Sequence, residues 1–236
     1  MSFDLEFALE VFLKAITKVP LTLGVAFSSL LIGAVFGLFI ALLRFYKVPG
    51  FGLFFRWFVT VFKGTPMVML ISITYLLVVY NFDSVAQSLG LSITFKDVGK
   101  TWIGVGALAF ISSIAFSEAF RGALAAVSKC QYEAAYSVGE TRIQALIHVI
   151  LPQALPVSIP MSCNIAIGIT KGVSILYLVG IIEILYASLQ AASRTYQFLE
   201  AYVVAALIYW GLSIIIEQLF GFAERRFGRK VRDITA

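Results

Sequence analysis

Long apolar runs separated by short polar connections are the main feature of this sequence. Five stretches contain no charged residue: Leu21–Leu43, Met67–Phe82, Thr101–Ser117, Gly172–Ile182 and Ala201–Ile216. A helix needs about 20 apolar residues to cross a hydrocarbon layer of about 30 Å. We therefore predict an all-α, polytopic membrane protein with about five transmembrane helices, near residues 21–43, 51–82, 101–127, 156–172 and 200–220.

The remaining segments are amphipathic or basic. Residues 1–19 place apolar side chains at helical spacing among charges, which is typical of a helix lying at the membrane interface. In 175–197, three polar residues (Glu183, Gln190 and Arg194) divide the apolar pattern, so we predict a re-entrant or interfacial segment before the last span. Residues 20–222 then form the transmembrane domain, and 223–236 form a basic tail.

Composition supports this class of protein, and the distribution of charge predicts its orientation in the membrane. The 236 residues are 60% hydrophobic and 13% charged, whereas soluble domains are about 45–50% apolar and about 25% charged. With five spans, ten basic residues fall on one side and five on the other. Because cytoplasmic segments are enriched in Lys and Arg, we predict the N-terminus outside and the C-terminus in the cytoplasm. The basic tail suits anionic lipid, and we expect no nucleic acid partner.

No residue pattern in the sequence points to catalysis or metal binding. Cys130 and Cys163 lack the spacing of a metal site. His148, the only histidine, is expected to be a solvated, partner-facing residue rather than a ligand or base. The chain also lacks the Gly-x-x-x-x-Gly-Lys-Ser/Thr loop that binds nucleotide phosphates. We therefore expect that this chain is not an ATPase.

The polar passage 128–152 predicts two short helices. Ser128-x-x-Gln131 and Thr141-x-x-Gln144 match the capping box of helix N-termini. Gly139 suits the left-handed position after the first helix, and Pro152 is expected to end the second. The second helix carries one apolar stripe, formed by Ile143, Leu146, Ile147 and Ile150. Such a hairpin either docks into a groove of a partner or rests on the chain's own spans, and the residues alone favour neither.

Polar residues at membrane depth are candidates for substrate contact because they are costly there. Lys63 and Thr65 lie in "FKGTPM" (62–67), where a glycine and a proline interrupt the second span. Glu118 is spaced to pair with Arg121 three residues later. Asn164 and Lys171 are seven residues apart and so share a helix face, where the lysine suits a carboxylate. The structural alternatives are snorkelling or holding the interrupted helix for Lys63, ion pairing for Glu118, which we favour there, and packing or snorkelling for Asn164 and Lys171.

Several motifs, in the same order, resemble those of ABC-type importer permeases. Glu133-Ala134-Ala135, Gly139 and Ile150-Leu151-Pro152 match the EAA loop of that family. "FKGTP" (62–66), "SEAFRGAL" (117–124) and "ILPQALPVSIP" (150–160) are similar to motifs of its polar amino acid branch, the histidine, glutamine, arginine and cystine type. The resemblance spans about residues 20–220.

The resemblance implies a non-catalytic translocation subunit in a bacterial cytoplasmic membrane. Two permease subunits, identical or related, would form the pathway, and an extracytoplasmic binding protein would deliver an amino acid. A dimer of cytoplasmic subunits would bind ATP and Mg, so no cofactor is expected in this chain. The 128–152 loop would couple the two, through Glu133, Ala134, Ala135, Gly139, Ile143, Leu146, Ile147, Leu151 and Pro152.

The chain departs from the family pattern beside the two polar residues of the fourth span. Relatives commonly carry Gln or Glu after the asparagine and an acid after the lysine, whereas this chain has Ile165 and Gly172. Since an acid would suit a cationic side chain, we expect a polar, neutral or sulfur-containing amino acid, such as cystine, rather than a cationic one. The alternative function is a passive channel or ion-coupled carrier with a cytoplasmic gating hairpin, which would need no ATPase.

Overall fold

The computed structural model describes the backbone of residues 3–235 and the side chains of residues 3–227. Every regular element in this range is helical. The helices are α1 (Leu5–Ile16), α2 (Val19–Phe45), α3 (Phe51–Lys63), α4 (Met67–Ser88), α5 (Lys100–Ala126), α6 (Lys129–Ser137), α7 (Arg142–Ala145), α8 (Leu151–Gly172), α9 (Ile184–Ala192) and α10 (Phe198–Thr235). The predicted tail, 223–236, lies partly outside the described residues.

Five helices are long and apolar enough to cross a membrane, which confirms the predicted fold class. They are α2, α4, α5, the continuous helix 142–179, and α10 as far as Phe227. The predicted amphipathic N-terminal helix is α1. It buries Ala8, Val11 and Ala15 on one face, while Leu5 and Leu9 are exposed.

The predicted second span, 51–82, consists of two separate helices. Pro66 has no amide hydrogen to continue the ladder of α3, so it takes the N-cap position of α4 instead. Only α4 is long enough to span. The shorter α3, 13 residues long, is amphipathic, and large apolar side chains such as Trp57 and Val61 lie exposed along it.

The predicted end of the second hairpin helix at Pro152 is wrong. α7, a π-helical turn (Leu146–Ile150) and α8 form one uninterrupted helix. A proline ring clashes with the carbonyl four residues earlier in a regular α-helix. The wider π-helical turn directly before Pro152 relieves that crowding. Pro156 and Pro160 follow at intervals of four, so the three prolines lie in one row along the helix.

No candidate span lies wholly within 175–197, and the fourth candidate, 142–179, ends inside this segment. Val173–Val179 continues α8 as a 3₁₀-helix and ends at Gly180, whose φ of 78° is left-handed. The amides of Gly180 and Ile181 donate to the carbonyls of Tyr177 (3.0 Å) and Leu176 (3.2 Å), the Schellman pattern of a helix end. The nine residues of α9 that follow pack on α1.

The described chain divides into two compact units, whose boundaries fall inside α2, α5, α8 and α10 and in the connection between α3 and α4. The first unit comprises the described residues up to Gly33, with Thr65–Ser112 and Gly168–Ile214. Its core brings α1, α9 and α10 together. The second unit comprises Ala34–Gly64, Ser113–Ile167 and the described residues from Ile215 onward. The end of α5, the hairpin and the start of α8 form its core.

The sequence pattern Gly33-x-x-x-Gly37 makes one close helix contact within each unit. In the first unit a Cβ on Gly33 would overlap the Oγ of Ser112, which donates to the Ser29 carbonyl at 2.9 Å. In the second unit a Cβ on Gly37 would lie 2.5 Å from the Cβ of Phe116. The two glycines therefore let α2 approach α5 at backbone distance.

Candidate coupling and substrate sites

The two hairpin helices begin with different caps. Thr141 and Gln144 form the predicted capping box: the Gln144 amide donates to Thr141 Oγ1 (3.3 Å), and the Thr141 amide donates to Gln144 Oε1 (2.9 Å). The capping box predicted at Ser128 is wrong. Ser128 Oγ accepts from the Cys130 amide (3.3 Å) rather than from the Gln131 amide, and Gln131 Oε1 accepts from the Gln153 side chain (3.2 Å) rather than from the Ser128 amide.

Gly139 ends the first hairpin helix in the left-handed conformation that the sequence predicts. Its φ is +86°. Its amide donates to the Tyr136 carbonyl (3.0 Å), and the Glu140 amide donates to the Ala135 carbonyl (3.1 Å). This is a Schellman motif. Open space surrounds the position of an added Cβ, so the backbone angle rather than crowding requires glycine here.

Tyr132 attaches the hairpin to the rest of the second unit. The Tyr132 hydroxyl donates to the Leu124 carbonyl at the end of α5 (3.1 Å), and its ring stacks on Phe45 at 6.0 Å between centroids. Ile150 is fully buried in the same cluster. Burial raises the pKa of the Tyr132 phenol to about 12, so it remains a neutral hydrogen-bond donor at physiological pH.

The predicted apolar stripe of the second hairpin helix is split between two environments. Ile150 is buried and Leu146 half-buried against the second unit's core, whereas Ile143 is 69% and Ile147 53% exposed. Ile143 lies before the π-helical turn and Ile147 lies within it. Neither Ile143 nor Ile147 belongs to the buried cluster of the second unit. Together with the exposed Val138 they are called the exposed hairpin residues below.

The other coupling candidates range from buried to fully accessible. Ala135 is buried, whereas Ala134 and Glu133 are exposed. Within the described part of the chain, no cation lies at ion-pair distance from Glu133. Leu151 and Pro152 line an apolar groove of about 610 Å³. His148 is exposed, with Nδ1 3.3 Å from a carboxylate oxygen of Glu140.

Glu118 lies between two arginines. Its Oε2 is 3.3 Å from Arg121, the partner that the sequence predicts, and its Oε1 is 2.5 Å from Arg44 at the end of α2. Sequence reasoning missed Arg44 as a partner because the two residues are 74 positions apart. The carboxylate is already neutralised from both sides, which favours a structural role over substrate contact.

The two candidates in "FKGTPM" fall in different units. Lys63 is the last residue of α3, in the second unit, and its side chain is exposed. Thr65 is half-buried in the connection before α4, in the first unit. Lys63 and Thr65 are therefore two separate candidates for substrate contact.

Asn164 and Lys171 are exposed on α8, two turns apart. Asn164 belongs to the second unit and Lys171 to the first. Next to the lysine, Gly172 is buried, and a Cβ there would lie 2.8 Å from the Sδ of Met67. Any larger residue at position 172 would have to displace the Met67 side chain. The departure from the family pattern at this position is thus accompanied by tight packing.

Glu183 is a fully buried acid whose role sequence reasoning missed. It caps α9 by accepting hydrogen bonds from the amides of Leu185 (2.7 Å) and Tyr186 (2.7 Å). A third bond comes from the Tyr209 hydroxyl of α10 (2.6 Å). Its only signal in the sequence was its position directly before the polar-apolar pattern of α9. The carboxylate joins α9 to α10 within the first unit.

The family of this chain follows from its residue pattern. Residues 19–229, from the start of α2 into α10, match the sequence pattern of a family described as the binding-protein-dependent transport system inner membrane component. The chain belongs to this family, and the resemblance to ABC-type importer permeases is confirmed. It is a multi-pass, non-catalytic translocation subunit.

Curated relatives resemble the chain over most of its length. The L-cystine transport system permease protein TcyL of Bacillus subtilis (strain 168) is 28% identical over 207 residues, 88% of this chain and 84% of the relative. The arginine transport system permease protein ArtQ of the same organism is 29% identical over 206 residues, 87% and 89% of the two chains. The octopine transport system permease protein OccM of Rhizobium meliloti is 29% identical over 227 residues, 95% and 90%.

Solved structures show the same fold. The crystal structure of an amino acid ABC transporter with histidines matches with a TM-score of 0.78 and 29% identity, covering 96% of this chain and 100% of that one. The inward facing MetNI methionine ABC transporter matches with a TM-score of 0.70 at 19% identity, covering 96% and 99%.

Proposed function

We propose that this chain is the permease subunit of an ATP-driven amino acid importer in a bacterial inner membrane. The observation that carries the proposal is the family match over residues 19–229. It is supported by relatives named for L-cystine, arginine and octopine transport. A dimer of cytoplasmic ATP-binding subunits, a second permease and an extracytoplasmic binding protein complete the proposed assembly.

The exposed hairpin residues supply the proposed docking surface for the ATP-binding subunit. Ile143 and Ile147 leave apolar side chains uncovered at helical spacing, as a helix does that inserts into a groove of a partner. Glu133 adds a carboxylate whose charge is not compensated by any described neighbour. A basic or polar group of the ATP-binding subunit would complement it.

Continuity of the helix from 142 to 172 gives the hairpin a mechanical connection to the pathway. When ATP draws the two ATP-binding subunits together, a displaced α7 moves the start of α8 with it. The row of Pro152, Pro156 and Pro160 withholds three amide donors from one side of this helix. That side can bend more readily, so two arrangements of α8 would correspond to inward- and outward-facing states whose balance ATP shifts.

The substrate is proposed to be a polar, neutral or sulfur-containing amino acid such as cystine. Exposed Lys171 suits the α-carboxylate, and exposed Asn164 suits polar groups of the side chain. At position 172 no acid is present to attract a cationic side chain, and Met67 occupies the adjoining space. Lys63 and Thr65 are further candidate contacts. Because Glu118 is bound by two arginines, we expect it to contribute to stability.

Competition in uptake assays tests the substrate class. The transporter, co-expressed with its ATP-binding subunit and binding protein, should take up radiolabelled cystine. Excess unlabelled cystine should block that uptake, and excess arginine should not. Strong inhibition by arginine would contradict the proposed selectivity while leaving the importer function intact.

Coupling is tested with Gly139→Asp and Glu133→Lys in reconstituted liposomes. Asp would be strained at a φ of +86°, and Lys would reverse the charge offered to the partner. Both should abolish substrate-stimulated ATP hydrolysis, whereas Lys129→Gln, on the exposed start of α6, should not. Solute accumulation by this chain with no ATP-binding subunit present would instead support a channel or ion-coupled carrier.

A further inference from the structure

A cavity of about 580 Å³ beside the connection between α2 and α3 is lined by four cations. These are Arg44, Lys47, Arg56 and Arg121. Glu118 is the one carboxylate paired with any of them among the described residues, through Arg44 and Arg121. Lys47 and Arg56 have no carboxylate at ion-pair distance within the same range. The cavity therefore carries a net positive charge that an anion would complement.

The dipole of α3 and buried side-chain donors add to this charge. The N-terminus of α3 lies at the cavity, and because the amides of Phe51 and Gly52 already donate to the carbonyls of Pro49 (2.9 Å) and Val48 (2.8 Å), its contribution is the positive end of the helix dipole. The side chain of Arg44 is only 10% exposed, and the buried Nε of Arg121 has no hydrogen-bond partner among the described residues. Donors of this kind suit phosphate oxygens.

Lys47 occupies a backbone position that favours glycine. Its φ is +50°. The amides of Lys47 and Val48 donate to the carbonyls of Arg44 (3.3 Å) and Leu43 (3.1 Å), so Lys47 is the C′ residue of a Schellman motif that ends α2. A lysine is strained there, and strained residues that persist at such positions often serve function. We infer that lysine occupies this position because its side chain lines the cavity.

An apolar groove adjoins the cationic cavity. It runs along α3, shares Gly50 and Leu53 with the cavity, and is lined mainly by aromatic side chains. Phe54 is 59% and Trp57 64% exposed in it. A cationic cavity continuous with an exposed aromatic groove matches an amphiphile that has an anionic head and an apolar tail. The predicted topology places this end of α2 in the cytoplasmic leaflet, which is rich in anionic lipid.

We propose that the cavity binds the phosphate of an anionic phospholipid whose acyl chain lies along the aromatic face of α3. The phosphate would contact Lys47, Arg56 and the N-terminus of α3. Because the lipid would bridge the end of α2 and α3, it would hold α3 against the membrane, although this helix is too short to span. This site shares no residue with the exposed hairpin residues or with the candidate substrate contacts Asn164 and Lys171.

Trp57 provides a direct probe. Trp102→Phe and Trp210→Phe remove the other two of the three tryptophans, both exposed. The purified transporter is placed in phosphatidylcholine vesicles with a small fraction of phosphatidylglycerol brominated on its acyl chains. Trp57 fluorescence should be quenched more strongly than by the same fraction of brominated phosphatidylcholine. Equal quenching by the two lipids would overturn the proposal.

Three variants identify the cations responsible. Arg56→Gln and Lys47→Gly should each weaken phosphatidylglycerol binding roughly fivefold, whereas the control Lys129→Gln should leave it within about twofold. Lys47→Gly relieves the left-handed strain, so its melting temperature should not fall. Loss of binding in this variant without loss of stability separates a binding role from a structural one. Unchanged binding in both cavity variants would contradict the proposal.

A final arm distinguishes the lipid headgroup from free phosphate. Inorganic phosphate and sodium chloride are compared at equal ionic strength in the same quenching assay. We expect equal, modest screening by both salts. Displacement of the lipid by phosphate but not by chloride would show a site for free anions and overturn the lipid assignment. None of these readouts requires transport or ATP hydrolysis, so the result is independent of the proposed import function.

Discussion

At the scale of single residues, Tyr132 combines two contacts that attach the hairpin to α5. Its hydroxyl donates to the Leu124 carbonyl, its ring stacks on Phe45, and burial raises its pKa from 10.0 to about 12. A tyrosine with a raised pKa stabilises the fold fully below its unfolded pKa. That contribution is lost as the pH rises from about 10 through about 12.

Tyr132→Phe tests this contact. The variant should unfold about 1 kcal/mol more easily at neutral pH because the buried Leu124 carbonyl loses its donor. In an alkaline absorbance titration it should also lack one phenol ionising near pH 12. Tyr136→Phe, which changes an exposed tyrosine of the same helix, should retain that phase. Identical titration curves for the wild type and Tyr132→Phe would show that another group ionises there.

The buried Glu183 gives a second prediction at this scale. Glu183→Ala leaves two amides of α9 and the Tyr209 hydroxyl without their acceptor. Each unsatisfied buried donor costs about 1–3 kcal/mol, so the melting temperature in detergent should fall strongly. Glu10→Ala is the matched control. It removes an exposed acid paired with Lys14 and should change stability by less than about 1 kcal/mol.

At the scale of helices, composition alone was enough to predict five spans but not all of their ends, because crossing a membrane requires a long apolar run in any fold. Local hydrogen bonds were also predictable where both partners are close in sequence, as at Gly139 and at the Thr141 capping box. The predictions failed where a distant contact or an irregular helical turn prevailed. Gln131 bonds to Gln153 rather than to the Ser128 amide, and the π-helical turn carries the helix past Pro152.

The candidate sites were predictable to the same limited extent. The motif residues of the hairpin are recognisable one by one, but apolar spacing does not reveal which residues of its stripe the core covers and which stay exposed. The pairing of Glu118 with Arg44 joins two helices far apart in the chain. The cationic cavity was missed for the same reason, since Arg121 comes from α5 and the other cations from the α2–α3 region.

The contact of α2 with α5 gives a prediction at the scale of helices. Gly37→Val adds a side chain whose Cβ alone would lie 2.5 Å from the Phe116 Cβ and 2.9 Å from the Ser113 carbonyl oxygen. Overpacking of this kind costs about 1–3 kcal/mol, so thermal stability in detergent should fall. Gly24→Val places the same side chain on the same helix in open space. Equal losses in the two variants would attribute the effect to helix propensity rather than to packing.

At the scale of the whole molecule, the proposed mechanism depends on orientation, because a docking surface for a cytoplasmic ATP-binding subunit must lie in the cytoplasm. Basic residues favour that orientation: ten lie on the predicted cytoplasmic side and five on the other. The hairpin, the cationic cavity and the tail would then share one side of the membrane. An inverted topology would therefore remove both the coupling role and the cytoplasmic lipid site.

Cys130 is a natural probe for this orientation. It is exposed at the start of α6, while Cys163, the only other cysteine, is partly buried in α8. A membrane-impermeant maleimide should label Cys130 in inside-out vesicles and leave it unlabelled in intact, right-side-out cells. Cys130→Ser should abolish the signal, which excludes labelling of Cys163. Labelling of Cys130 in intact cells would place the hairpin outside the membrane, where no ATP-binding subunit could reach it.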